Sequence, residues 1–248
     1  MRYFIELAYK GKNYFGWQRQ PKQISVQEVL EEKLSVLLRE KIDIVGAGRT
    51  DTGVHAKQMY AHFDYSGEIQ LEKFTFKLNS FLPKDISVYK IFKVEENAHA
   101  RFDAISRAYE YHIHIGKNPF LSEGVFQIYH DLDLDKMNEA AKLMYDYTDF
   151  KCFSKSKTDV RTYNCDVMNA VWERKDNQLI FHVKADRFLR NMVRAIVGTL
   201  LEVGVGKKTI EDFKQVLESR DRTKAGTSVP AQGLYLTEVV YPYINKEG

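Results

Sequence analysis

The nine residues Gly48-Arg49-Thr50-Asp51-Thr52-Gly53-Val54-His55-Ala56 hold a carboxylate in a glycine-bracketed turn, with a guanidinium, two hydroxyls and an imidazole beside it. Asp and Gly are ordinary turn formers, yet a turn needs neither the arginine nor the ring. An ionised carboxylate presented this way can act as a nucleophile. His55 reads either as a general base or as a ring bonded into its own turn. A second cluster, Arg187, Arg190 and Arg194, falls at spacings of three and four opposite Leu189, Met192, Val193, Ile196 and Leu200. It reads as a solvated basic face or as an anion-binding stripe at the start of a helix from Phe188.

The run Lys10-Gly11-Lys12-Asn13-Tyr14-Phe15-Gly16-Trp17-Gln18-Arg19-Gln20-Pro21 interleaves cations, aromatics and amides. Unstacked RNA bases lie on aromatic or guanidinium planes while cations track phosphates, so the mixture suits RNA. The alternative is that Tyr14, Phe15 and Trp17 pin the loop to the core. His112 and His114 share a strand face with Glu110, but no convergent ligands complete a metal set, and no metal is expected. Phosphate loops, dinucleotide fingerprints and Ser or Cys nucleophile motifs are missing from the sequence, so no organic cofactor is expected either.

Composition sets the class. The 248 residues are 44% hydrophobic and 29% charged with a net charge of +3, the make-up of a soluble globular protein of one large or two ordinary domains. No apolar run approaches the roughly 20 residues of a membrane span, and no signal-peptide core follows Met1. A cytoplasmic location without membrane contact is therefore expected, with Cys152 and Cys165 as free thiols. The 15 Tyr and 15 Phe are enough for stacking surfaces as well as a core.

The elements that position these groups follow from periodicity. Strands are predicted over Tyr3–Tyr9, Ile42–Ala47, Met59–Tyr65 and Ile86–Val94. One helix opens on a Ser25-Val26-Gln27-Glu28 capping box with Ile24 and Val29 as a staple and runs through Leu30, Leu34, Leu37 and Leu38. Another covers Leu71–Phe81 and stops before Pro83. The order is βαββαβ, the ferredoxin-like pattern. The second half repeats it with insertions: strand Ser106–Ile115, helix from about Asp135 to Tyr145, and a hairpin of Cys165–Arg174 and Leu179–Ala185. Helices Phe188–Val203 and Ile210–Ser219, the latter capped by Thr209, precede a last strand, Leu234–Tyr241. Long loops at 10–23, 97–104, 151–162 and 220–232 are candidates for function.

Five runs in this order resemble motifs of one family: Gly16-Trp17-Gln18-Arg19-Gln20-Pro21; the Asp51 turn; Ala100-Arg101-Phe102-Asp103-Ala104 with Ser106-Arg107-Ala108-Tyr109-Glu110-Tyr111; Phe188-Leu189 with Met192-Val193-Arg194; and Gly233-Leu234-Tyr235-Leu236. Together they resemble the TruA family of tRNA pseudouridine synthases over nearly the whole chain. Lys10, Ala195 and Val229 depart from the family's usual residues.

The resemblance implies that Asp51 is the catalytic nucleophile, that Tyr109 stacks on the target uracil, and that Arg194 pairs with the Asp51 carboxylate and favours its charged form. It implies that Arg49 holds the RNA open and that Leu234 lines the pocket. Tyr111, Arg107, Arg190, Trp17, Gln18, Arg19 and Gln20 would contact the substrate.

It also implies an α+β pseudouridine synthase fold. Two ferredoxin-like halves, 1–104 and 105–248, would form a continuous, mostly antiparallel sheet flanked by helices around a central basic cleft. The partners implied are tRNA and a second copy of the chain in a homodimer. The activity implied is isomerisation of uridine to pseudouridine at positions 38, 39 and 40 of the anticodon stem-loop.

That reaction breaks the bond from C1′ to N1, turns the uracil, and joins C1′ to C5 with loss of the C5 proton. An ionised Asp51 would add to uracil C6, attack C1′, or remove a ribose proton to give a glycal; the sequence leaves these open. Two other classes stand beside it: a catalytically silent RNA-binding protein, and a carboxylate-dependent nucleosidase, which would need a second carboxyl group at defined separation.

Overall fold

The computed structural model describes residues 1–155 and 160–244. Residues 156–159 of the predicted 151–162 loop lie outside the described residues. The chain divides into two compact units: Met1–Ile105 together with the segment from Tyr235 onward, and Ser106–Leu234.

In the first unit, alternating apolar residues make β1 (Arg2–Tyr9), with Tyr3, Ile5, Leu7 and Tyr9 buried. Each such side chain contributes about 1.5–3 kcal/mol when removed from water. Helix α1 (Val26–Leu38) starts where Ser25 Oγ accepts from Glu28 N–H at 3.2 Å and ends where Arg39 turns left-handed (φ 56°). The predicted capping box is half made, because the Glu28 carboxylate lies 3.6 Å from Arg19 Nε instead. Ile24, expected as a staple, stands 59% exposed.

Helix α2 (Leu71–Phe81) and strand β4 (Ile86–Val94) have the predicted bounds. The second strand is much shorter than predicted. Only Val45–Gly46 (β2) pairs, against His62 and Ala61 of β3 (His55–Asp64). Residues 42–44 of the predicted strand hydrogen-bond to α1 side chains instead, Ile42 N–H to Ser35 Oγ and Ile44 N–H to the Glu31 carboxylate. At its other end β3 pairs in parallel with β9 (Leu234–Val240), His55 opposite Tyr235 and Ala56 opposite Leu236. The strand order β4-β1-β3-β2, antiparallel throughout, is that of the ferredoxin-like pattern.

This unit carries an aromatic cluster of Phe4, His62, Tyr241 and Tyr243. His62 is 5% exposed and accepts from Ala100 N–H through Nδ1 at 3.1 Å. Burial, helped by the Arg2 charge, pushes its imidazole down to about 4. The unfolded chain takes up this proton near pH 6.5 while the folded one resists until about 4. Stability is therefore complete above about pH 6.5 and falls as the pH drops toward 4, by up to about 3 kcal/mol. Urea unfolding across this range should show that slope, and His62→Gln should flatten it. An unchanged slope in the variant would remove His62 from the account.

The second unit opens on β5 (Ser106–Ile115), with the predicted bounds. Strands β7 (Val167–Lys175) and β8 (Gln178–Ala185) form the predicted hairpin, turning at Asp176 with φ 55°. A three-residue strand that periodicity could not register, β6 (Phe126–Ile128), runs parallel to β5. The sheet order is β6-β5-β8-β7. Helices α3 (Leu134–Lys142), α4 (Met192–Gly204) and α5 (Ile210–Ser219) complete the unit. Thr209 makes the reciprocal capping box on α5 with Asp212.

The fold is thus α+β with mostly antiparallel strands. Among the described residues no helix is long and apolar enough to cross a membrane. Cys152 and Cys165 are buried free thiols, each pushed up to about 12 by burial.

Candidate active site

Asp51 lies half-buried in the turn between β2 and β3, with exposed Arg49 and Thr52 beside it. The turn closes through its main chain: Val54 N–H donates to Asp51 O at 3.1 Å. Three glycines bring the 10–23 loop against it. A Cβ on Gly16, which sits at φ 86°, would collide with Thr50 O; one on Gly11 would collide with Val54 O; one on Gly46 would enter the Trp17 ring.

Hydrogen bonds complete this grip. Trp17 N–H donates to Thr50 O (3.2 Å), Gly53 N–H to Tyr14 O (3.3 Å), and the Tyr9 hydroxyl lies 2.8 Å from Thr50 Oγ1. His55 accepts from Gly11 N–H through Nδ1 at 3.0 Å and stacks on Tyr235 at 4.6 Å. Through Nδ1 the ring therefore bonds to the 10–23 loop, where one of the two readings had it bonded into its own turn.

Glu31 of α1, which the sequence reading did not single out, ties this region together. Its buried carboxylate accepts from Gln27 Nε2 (2.8 Å), Ile44 N–H (3.1 Å) and Arg19 Nη1 (3.3 Å). Ser35 Oγ accepts from Ile42 N–H at 2.9 Å. Helix side chains thus satisfy the backbone of 42–44, the stretch predicted as strand, and lead it into the turn. A buried, unpaired backbone group would otherwise be costly. The only sequence signal was a Glu on the apolar face of an amphipathic helix.

Of the loop residues assigned to the substrate, Trp17 is buried while Gln18, Arg19 and Gln20 are exposed. Trp17 is 3% exposed beneath Gly46, so its ring presents no face to a base. Tyr14 is likewise buried. Arg19 lies between the Glu28 and Glu31 carboxylates, and Gln20 Nε2 donates to Phe15 O at 2.9 Å.

In the second unit, Tyr109 is half-buried on β5, edge-on to Phe188 at 5.1 Å. Arg107 Nη1 donates to Asp186 O at 2.9 Å. Tyr111, assigned to substrate, is instead 0% exposed, and its hydroxyl donates to Pro230 O at 2.8 Å. Burial raises the Tyr111 phenol while the Arg194 charge opposes the rise, which places that charge near the phenol. A Cβ on Gly233 would press on the Tyr111 ring. Leu234 is buried at the start of β9.

The expected arginine stripe is not a helix face. Helix α4 begins at Met192, after Asn191 in the left-handed region (φ 66°), so Arg187 and exposed Arg190 lie in the lead-in and only Arg194 is helical. Arg194 Nε donates to Val229 O at 2.7 Å, and Val229 N–H donates to Arg194 O at 3.2 Å. Both bonds use the Val229 main chain, which explains why an unusual side chain is tolerated there. Asn191 Nδ2 and Arg222 Nη2 both reach Ser228 Oγ, at 2.6 and 2.9 Å, fixing the same strap.

On the opposite face of β5, His112 Nε2 lies 2.8 Å from Glu110 and His182 lies between Glu110 (3.7 Å) and Glu173 (3.2 Å). His114 turns to Gly116 O instead. Among the described residues no three His, Cys, Asp or Glu side chains are grouped to hold a metal ion.

The first unit thus carries a braced carboxylate turn, and the second a strap-held arginine and a half-buried tyrosine. The family model described as tRNA pseudouridine synthase matches residues 7–103 and 140–242. The chain belongs to the tRNA pseudouridine synthase family. It is similar to tRNA pseudouridine synthase A of Parabacteroides distasonis, 54% identical over 97% of this chain and 96% of the relative. It is 53% identical to that of Bacteroides fragilis over the same shares, and 40% identical to that of Acetivibrio thermocellus over 95% and 97%.

Proposed function

We propose that this chain converts uridines 38, 39 and 40 of the tRNA anticodon stem-loop into pseudouridine, with Asp51 as nucleophile, Tyr109 stacking on the target uracil and Arg194 as the cation paired with Asp51. That it is an isomerase acting on tRNA uridine follows from its family. The positions and residue roles are the further step. The observation that carries it is the Asp51 turn. Asp51 is half-buried while the main chain of its turn is gripped by Gly11, Gly16 and Trp17, so the reacting group is held before substrate arrives.

The target nucleotide must leave its stack, which costs a few kcal/mol. Tyr109 offers the uracil an aromatic face, Arg49 is exposed and long enough to fill the space left behind, and Leu234 gives the pocket an apolar wall. The ionised Asp51 carboxylate then serves cleavage of the C1′–N1 bond. The uracil turns without leaving, C1′ joins C5, the C5 proton departs to solvent and N1 takes one up. Atoms and electrons balance with no added reactant. The protein acts in the cytoplasm as a homodimer on this reading.

Mapping pseudouridine in an unmodified tRNA after incubation with the protein tests the position. Conversion confined to 38–40 supports it, and conversion elsewhere overturns it. A sedimenting species of only 28.9 kDa would overturn the dimer.

A further inference from the structure

The 97–104 loop of the first unit takes no part in the chemistry above, yet it is built with unusual constraint. Arg2 Nη1 donates to Ala98 O (2.9 Å) and His99 N–H donates to Asp103 Oδ2 (2.7 Å). Ala100 is held on both sides, its N–H by His62 and its carbonyl by the Tyr241 hydroxyl. Tyr243 donates to Asp103 Oδ2 at 2.8 Å. His99 Nδ1 accepts from both Arg101 N–H (3.1 Å) and Phe102 N–H (3.2 Å).

All this bracing displays one apolar ring. Phe102 is 74% exposed. Its ring lies over the His99 imidazole at 4.3 Å with 32° between planes, and the Arg101 guanidinium lies 5.6 Å from its centroid. A loop that merely needed an anchor would turn its phenylalanine into the core, where burial rewards it. Here the backbone is pinned and the ring is held in water.

We propose that Phe102 is a stacking platform for an unpaired base of the tRNA, apart from the target uracil. The inference rests on the tRNA reading above. The chemistry matches: an imidazole tilted against the ring and a guanidinium near it keep a phenyl group whose exposed surface is open to one more flat ring, and a nucleobase is such a ring. The ring's cationic neighbour also suits a partner that carries negative charge, and a nucleotide supplies both the flat ring and the phosphate. Any base can occupy the platform, because every base has a π-face.

The test compares Phe102→Ala, Phe102→Leu and Phe102→Trp in the full chain, reading tRNA Kd alongside kcat and KM of tritium release. All three exchange a surface ring, so their melting temperatures should match the parent. Loss of one stacked base predicts a Kd and KM raised about 5- to 100-fold in Phe102→Ala, with kcat at saturation unchanged. Leucine should behave like alanine and tryptophan like the parent, with tRNA quenching the new indole fluorescence. The ratio of variant to parent Kd should hold as salt rises, since stacking releases no counterions.

Full affinity in Phe102→Ala overturns the platform, and full affinity in Phe102→Leu shows an apolar contact instead of stacking and also overturns it. A changed sedimentation coefficient with unchanged tRNA affinity assigns the ring to a protein contact and overturns it too. A parent protein that binds tRNA without releasing tritium refutes the isomerase reading alone, because the Kd series still decides the platform.

Discussion

Asp51→Asn should lower tritium release from tRNA carrying C5-tritiated uridine by about 10⁴-fold or more, the scale seen when a nucleophile is removed from an otherwise intact site, while leaving tRNA binding largely unchanged. Asparagine keeps the shape of the side chain and loses its charge and nucleophilicity. The turn should survive, because the bond that closes it runs from Val54 N–H to the Asp51 carbonyl and the grip from Trp17 and Tyr14 is on the main chain of Thr50 and Gly53. Each of the three chemical routes, through C6, C1′ or a glycal, requires the ionised carboxylate. All three therefore fail together. Unchanged turnover in this variant would end the assignment of Asp51 as nucleophile.

Gly16→Ala should be the most damaging change that leaves every catalytic side chain in place. At φ 86° an alanine costs about 1–2 kcal/mol in backbone strain alone. Its methyl group would also meet Thr50 O, a main-chain atom of the Asp51 turn that has no flexible end to yield. Either the 10–23 loop lifts or the turn moves, and reactions that depend on placement lose about 100-fold for a shift near 1 Å. The expected outcome is a kcat reduced by about that factor, together with a lowered melting temperature. Wild-type kcat in a folded Gly16→Ala protein would show that the loop does not position Asp51.

The parts of this fold that local pattern determines were legible. Leu71–Phe81, Ile86–Val94, Ser106–Ile115 and Ile210–Ser219 emerged with the predicted bounds because each has a clean period and definite ends, such as Pro83 or the Thr209 cap. What failed depended on partners outside the segment. The second strand shrank to Val45–Gly46 because Ser35 and Glu31 of α1 take the Ile42 and Ile44 N–H groups that a longer strand would have used. Helix α4 started late because Asn191 adopts a left-handed backbone, which arginine spacing does not reveal.

The site divided in the same way. The Asp51 turn stood out by residue type and Arg194 as one of a basic stripe, while Tyr109 and the pairing role of Arg194 were marked only by resemblance to family motifs, but burial is invisible to a motif. Trp17 and Tyr111, assigned to the substrate, are props, one under Gly46 and the other against Pro230 and Gly233. Glu31 was hidden for the opposite reason: its meaning lies in three donors from three segments that only folding brings together.

The central claim is that a carboxylate of this chain moves the glycosidic bond of a tRNA uridine from N1 to C5 without releasing the base. The most direct measurement follows the label from C5-tritiated uridine in unmodified tRNA exposed to the wild-type protein. The account predicts tritium in water, full-length RNA and no detectable free uracil. Free uracil would make the protein a nucleosidase, and stable tRNA binding with the tritium retained would make it a silent RNA-binding scaffold; either result contradicts the account.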